Sequence, residues 1–115
     1  MPRRRRDEAT AGLLGSAPLF AALGDETRLR LVSRLCEDGA MSITKLADGS
    51  DVSRQAITKH LHVLEAAGLM RVTRRGRESV WTLEPERLDE VRRHLDVISK
   101  QWDRTLERLK SFVED

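Results

Sequence analysis

The segment from Ser53 to Leu69 (Ser-Arg-Gln-Ala-Ile-Thr-Lys-His-Leu-His-Val-Leu-Glu-Ala-Ala-Gly-Leu) restricts this chain more than any other. It divides one short helix into a side that must be buried and a side rich in hydrogen-bonding groups. At about 100° per residue, Ile57, Leu61 and Leu64 share one face, while Gln55, Thr58, Lys59 and His62 gather on the other. Ser53 suits an N-cap and Gly68 a left-handed helix end, so the helix should run from about Arg54 to Ala67. Arg54 and Gln55 in its first turn have forked side chains that can pair with guanine and adenine edges in a major groove. A solvated amphipathic helix has the same pattern, so the neighbouring segments have to decide between the two readings.

The segment that follows supplies that context. Leu69 to Arg75 and Ser79 to Leu83 alternate as two strands around a turn at Gly76-Arg77. Met70 and Val72 share a face of the first strand, Trp81 and Leu83 a face of the second, and the arginines are left at the polar face and tip. Between Ser53 and Arg77 the basic residues Arg54, Lys59, Arg71, Arg74, Arg75 and Arg77 stand against one acid, Glu65. That imbalance suits a phosphate backbone. Upstream, Asp25 caps a helix on which Leu29, Val32 and Cys36 are read as the inner face, beside Leu31 and Leu35. After a break at Glu37 to Ala40, Ser42 caps a shorter helix, Ile43 to Ala47, and Asp48-Gly49-Ser50-Asp51 turns into the Ser53 helix. Two helices joined by a tight glycine-containing turn form a helix-turn-helix.

Taken in order, Leu19-Phe20-Ala21-Ala22-Leu23-Gly24-Asp25-Glu26-Thr27-Arg28, the Ser53 to Gly68 helix and the arginine-rich hairpin ending at Trp81-Thr82-Leu83 resemble the ArsR family of bacterial winged helix-turn-helix repressors. The resemblance spans roughly Phe20 to Phe112. Glu26 stands where many relatives have proline, and both suit a first helical turn. The resemblance implies a mainly helical (α+β) fold with a small hairpin wing. It also implies a homodimeric transcriptional regulator, with an operator arranged as an inverted repeat. Arg54, Gln55 and Thr58 would then lie near base edges. Ser53, Lys59 and His62 would lie nearer phosphate, and Arg74, Arg75 and Arg77 of the wing on backbone or minor groove.

Composition fits one compact domain: 115 residues, 35% charged, 39% hydrophobic, with no apolar run long enough for a bilayer and no apolar signal region after the first arginines. A cytoplasmic location is the expectation. Residues 1–14, with Arg3 to Arg6, lack periodicity and are read as a disordered basic arm, either frayed or adding phosphate contacts. The domain proper is 15–115. From Pro85 the residues Leu88, Val91, Leu95, Ile98, Trp102, Thr105, Leu109 and Phe112 alternate spacings of three and four, so a helix over about 85–113 carries a heptad-like apolar stripe. Such a helix, roughly 40 Å long, exceeds what a small domain has to cover. In relatives the first and last helices dimerise, so Leu19, Phe20 and Leu23 are expected to join the stripe at the subunit interface.

Many relatives sense metals, but their ligand patterns are missing. Ile43-Thr44-Lys45-Leu46-Ala47 replaces a Cys-x-Cys, His60 and His62 point about 200° apart, and His94 lacks the partners of the C-terminal zinc site. No cofactor is expected. Cys36 is read as a small core residue, the alternative being a redox-sensing thiol. No nucleophilic triad or phosphate loop suggests an enzyme. The other readings kept open are a metal- or redox-responsive sensor and a nonspecific architectural DNA-binding protein.

Overall fold

The computed structural model describes the backbone of residues 2–114, and the side chains of residue 8 and residues 10–114. Six helices and three short strands follow one another as α1 (Pro2–Gly15), α2 (Ala17–Leu23), α3 (Glu26–Asp38), β1 (Met41–Ser42), α4 (Ile43–Ala47), α5 (Arg54–Ala66), β2 (Met70–Arg75), β3 (Glu78–Leu83) and α6 (Pro85–Glu114). The caps explain several of these bounds. Asp25 accepts from the Arg28 amide at 3.0 Å, Ser42 from Lys45 at 3.2 Å and Ser53 from Ala56 at 3.2 Å, so each side-chain oxygen takes up an amide that has no partner inside its helix. Gly68 ends the α5 turn at a φ of 81°, a conformation that disfavours any residue with a Cβ.

The core is one cluster to which most elements contribute. Leu19 and Ala22 of α2, Leu31, Val32 and Leu35 of α3, and Leu46 of α4 meet Ile57, Leu61 and Leu64 of α5, Trp81 of β3 and Val91 of α6. Leu61 and Leu64 are wholly enclosed, and each such leucine contributes roughly 1.5–3 kcal/mol by leaving water. The sheet is antiparallel in the order β1-β3-β2, so β3 is central. Gly76 opens the hairpin loop at a φ of 62°, where a two-residue turn of this kind needs glycine.

Three sequence expectations are corrected. First, of the arm expected over residues 1–14 the described part, residues 2–14, is not irregular: Pro2–Gly15 is helical. Arginine and alanine are good helix formers, proline is tolerated at a first turn, and the end of α1 rests on α6, where the enclosed Ser16 hydroxyl hydrogen-bonds Nδ1 of His94. Second, β1 is an addition. Met41 pairs with Trp81 and Ser42 with Val80, a two-residue strand too short for alternation to reveal. Third, Cys36 and Leu29 are exposed. The buried arc of α3 is centred on Leu31, Val32 and Leu35, and positions 29 and 36 fall together roughly 90° from its centre. Leu19 and Val91, 4% and 7% exposed, are enclosed in the protomer's own core. The short α2 packs on α3 and α5, which is what encloses Leu19.

Helix α6 has 30 residues and is therefore about 45 Å long, which makes the molecule elongated at 63 × 31 × 20 Å. No helix among the described residues is long and apolar enough to cross a membrane.

Candidate nucleic-acid interface

Burying Ile57, Leu61 and Leu64 fixes how α5 is rotated, and the opposite face turns outward as a consequence. Ser53, Arg54, Gln55 and Lys59 are exposed there and Thr58 is half-buried. The Thr58 hydroxyl donates to the Arg54 carbonyl at 2.9 Å, so its hydrogen is already used. What Thr58 can offer outward is a methyl group and an acceptor lone pair. That combination fits a thymine methyl or an exocyclic amine rather than a phosphate, which needs a donor.

His62 sits differently from the other polar residues of this face. Its ring meets Trp81 edge-on, with centroids 5.4 Å apart at 77°, and its Nδ1 lies 3.2 Å from a Glu65 carboxylate oxygen. The side chain is still 59% exposed, so His62 joins α5 to the wing while keeping one edge in solvent. His60 faces the other way, towards Arg28 and Asp25. Asp25 itself is held below the usual carboxylate range, first by the hydrogen bond from the Arg28 amide and then, against some desolvation, by the nearby Arg28 guanidinium.

On the wing, Arg74, Arg75 and Arg77 are exposed near the tip. Two acids temper it. Arg71 pairs with Glu84 at 3.2 Å, and Glu78 lies directly across the ladder from Arg75. Glu78 stands one residue past the Ser53–Arg77 stretch, in which six basic residues face one acid. Beside this surface Ser42, Thr44 and Lys45 line a recess with Arg54 in which Asp48 and Glu78 balance the two cations, so Lys45 brings α4 to the edge of the basic face. The signal for it was available, since the first helix of a helix-turn-helix crosses the DNA backbone and Lys45 follows a capping serine.

The apolar stripe of α6 divides in two. Leu88 packs on the core with Phe20 and Leu23, all three partly buried, whereas Leu95, Trp102, Leu109 and Phe112 are 50%, 66%, 55% and 82% exposed and Ile98 lies between these extremes. Among the described residues no group of three or more histidine, cysteine or acidic side chains converges in a way that could hold a metal ion.

A helix-turn-helix domain model matches residues 23–73. Over 95 residues the chain is 38% identical to the HTH-type transcriptional regulator Rv2034 of Mycobacterium tuberculosis, covering 83% of this chain and 85% of that protein. Over 67 residues it is 36% identical to the arsenical resistance operon repressor of Escherichia coli, covering 58% and 57% respectively. Among solved structures, an ArsR-like transcriptional regulator from Rhodococcus sp. RHA1 superposes with a TM-score of 0.68 at 39% identity, over 90% of this chain and 93% of that one.

Proposed function

Given that the chain belongs to the ArsR family of DNA-binding winged helix-turn-helix transcriptional regulators, we propose that it acts as a homodimeric repressor on an inverted-repeat operator. The observation that carries this reading is the exposed apolar row on the outer part of α6, from Leu95 through Trp102 to Phe112. A row of that size left in water is a surface for a partner, and a second copy of the same helix is complementary to it. Two copies related by a dyad present two α5 helices to successive major grooves about 34 Å apart, which requires an operator of two inverted half-sites.

In that complex Arg54, Gln55 and Thr58 address base edges, Ser53, Lys59 and Lys45 the flanking phosphates, and Arg74, Arg75 and Arg77 the backbone or minor groove beyond. His62 contributes from the edge of the contact. The likeness to the arsenical repressor supports repression, by exclusion of polymerase from an overlapping promoter in the cytoplasm. It does not carry over the arsenical signal, because Ile43 to Ala47 has no thiol.

Selection from random duplexes with the full chain tests the reading, with sedimentation at micromolar protein alongside. The expected result is a preferred inverted repeat bound by two protomers. A monomer at that concentration removes the dimer, and binding with no sequence preference makes the protein architectural.

A further inference from the structure

Arg28 joins three elements, reaching α2 and α5 from the start of α3. Its Nε donates to the Ala22 carbonyl at the end of α2, at 2.6 Å. Its backbone amide donates to the capping Asp25 carboxylate at 3.0 Å, and its Nη1 lies 3.1 Å from Nδ1 of His60. His60 stands in the middle of α5, beside the buried row, with its side chain 24% exposed. A guanidinium has donors and no acceptor, so this contact requires a lone pair on Nδ1: a neutral ring with its proton on Nε2. Protonation ends the bond, because it turns an N–H and a positive charge towards another cation. A second partner is already in place, since Asp25 Oδ2 lies 3.8 Å from the same Nδ1.

We propose that Arg28 and His60 are positioning residues for the reading helix. The neutral imidazole ties α5 to α2 and α3, and the protonated one moves from Arg28 to Asp25, re-aiming Arg54, Gln55 and Thr58 so that discrimination between operator and unrelated DNA falls. The proposal rests on the operator reading above. The Asp25 carboxyl stays charged across the relevant range because the Arg28 amide holds it so. Other charges against this helix are turned elsewhere: α2 carries no ionisable side chain, Arg30 of α3 pairs with Glu26 and Arg34 donates to the Leu46 carbonyl, Lys45 of α4 shares a recess with Arg54, and Arg71 of β2 pairs with Glu84. On α5 itself Lys59 is exposed and Glu65 faces His62. Selectivity is what such a shift affects, because hydrogen bonds to base edges fail over fractions of an ångström while attraction to phosphate falls off slowly.

The wild-type protein without DNA gives the first test, by nitrogen-15 spectra of its imidazoles. At pH 8 His60 should be the Nε2–H tautomer; an Nδ1–H tautomer overturns the proposal. On acidification from pH 8 to pH 5.5 the amides of residues 54–58 should shift in wild type and stay in place in His60→Gln. Equal shifts in both overturn it.

The second test compares affinity for the duplex recovered by selection at pH 8 with affinity for a scrambled duplex of the same composition. That ratio should fall about tenfold between pH 8 and pH 5.5 in wild type, the effect of losing one charge-assisted hydrogen bond. His60→Gln, whose side-chain oxygen accepts from Arg28 without titrating, should keep a high and flat ratio; a parallel fall overturns the proposal. Arg28→Lys cannot hold Ala22 and His60 together, so it should give a low ratio at pH 8 with an unchanged salt dependence. A reduced salt dependence means that Arg28 touches phosphate, and the positioning role fails. If no preferred duplex is recovered, the operator reading falls and the selectivity claim with it, while the tautomer and amide shifts still decide the tie between α3 and α5.

Discussion

A single side chain on α5 can hold the helix, close its first turn or face outward, and the hydrogen bonds decide which. Leu61 does only the first, Ser53 does the second while remaining exposed, and Gln55 is exposed at the first turn with no other role in the fold. Gln55→Ala should therefore leave stability within about 0.5 kcal/mol and relax preference at one operator position by about 1–3 kcal/mol. A set of duplexes varied one base at a time reads that outcome, and a uniform loss across all of them counts against a base contact. Arg77 at the wing tip should behave in the opposite way: Arg77→Ala weakens every sequence and lowers the slope of log affinity against log salt by about one. The outward residues of α5 were legible from spacing alone because a helix's period maps sequence onto direction. The tie of His62 to Trp81 was not, since those rings come from elements whose approach only packing determines.

At the scale of elements, capping made α4 and α5 readable almost to the residue, and its absence as a signal left α1 unread. The end of α5 is a good place to test that logic. At Gly68 a φ of 81° disfavours a side chain, and an added Cβ would stand 2.9 Å from Nε of Arg87. The arginine can swing aside but the backbone cannot, so Gly68→Ala should cost about 1–2 kcal/mol in urea denaturation. The cap of α3 has a pH dependence of known sign. Asp25 has a lowered pKa in the folded chain, so its charge contributes stability that is present above the ordinary carboxylate range and lost as pH falls through the folded value. An asparagine in its place caps as well but does not titrate. The stability of wild type relative to Asp25→Asn should therefore be greatest at neutral pH and shrink below about pH 4. Denaturant midpoints at pH 6 and pH 3 measure it.

For the whole molecule the governing fact is that α6 is longer than the domain beneath it. Leu88 and Val91 are used inside the protomer, and beyond Ile98 the same stripe continues with no core to meet. Trp102 is the largest side chain on that free part. Trp102→Ala should weaken self-association by about 2 kcal/mol or more while leaving the fold of the protomer intact, and should reduce operator affinity in step with the loss of dimer. Sedimentation across a concentration series, with helical content checked by circular dichroism, separates that result from unfolding. The period of the stripe was legible in the sequence, but the point at which it leaves the core was not.

The sequence by itself determined the helix-turn-helix, its caps, the basic wing and the length of the last helix. Each of these follows from period, local hydrogen bonding or the conformational freedom of one residue, all of which act over a few positions. Tertiary structure alone decided that α3 is rotated to expose Cys36 and that Leu19 belongs to the protomer. It also decided that Met41 adds a strand edge to β3 and that Arg28 meets His60. Those outcomes depend on which surfaces meet across 30 or more residues of chain, and contacts between distant residues leave no periodic trace along it.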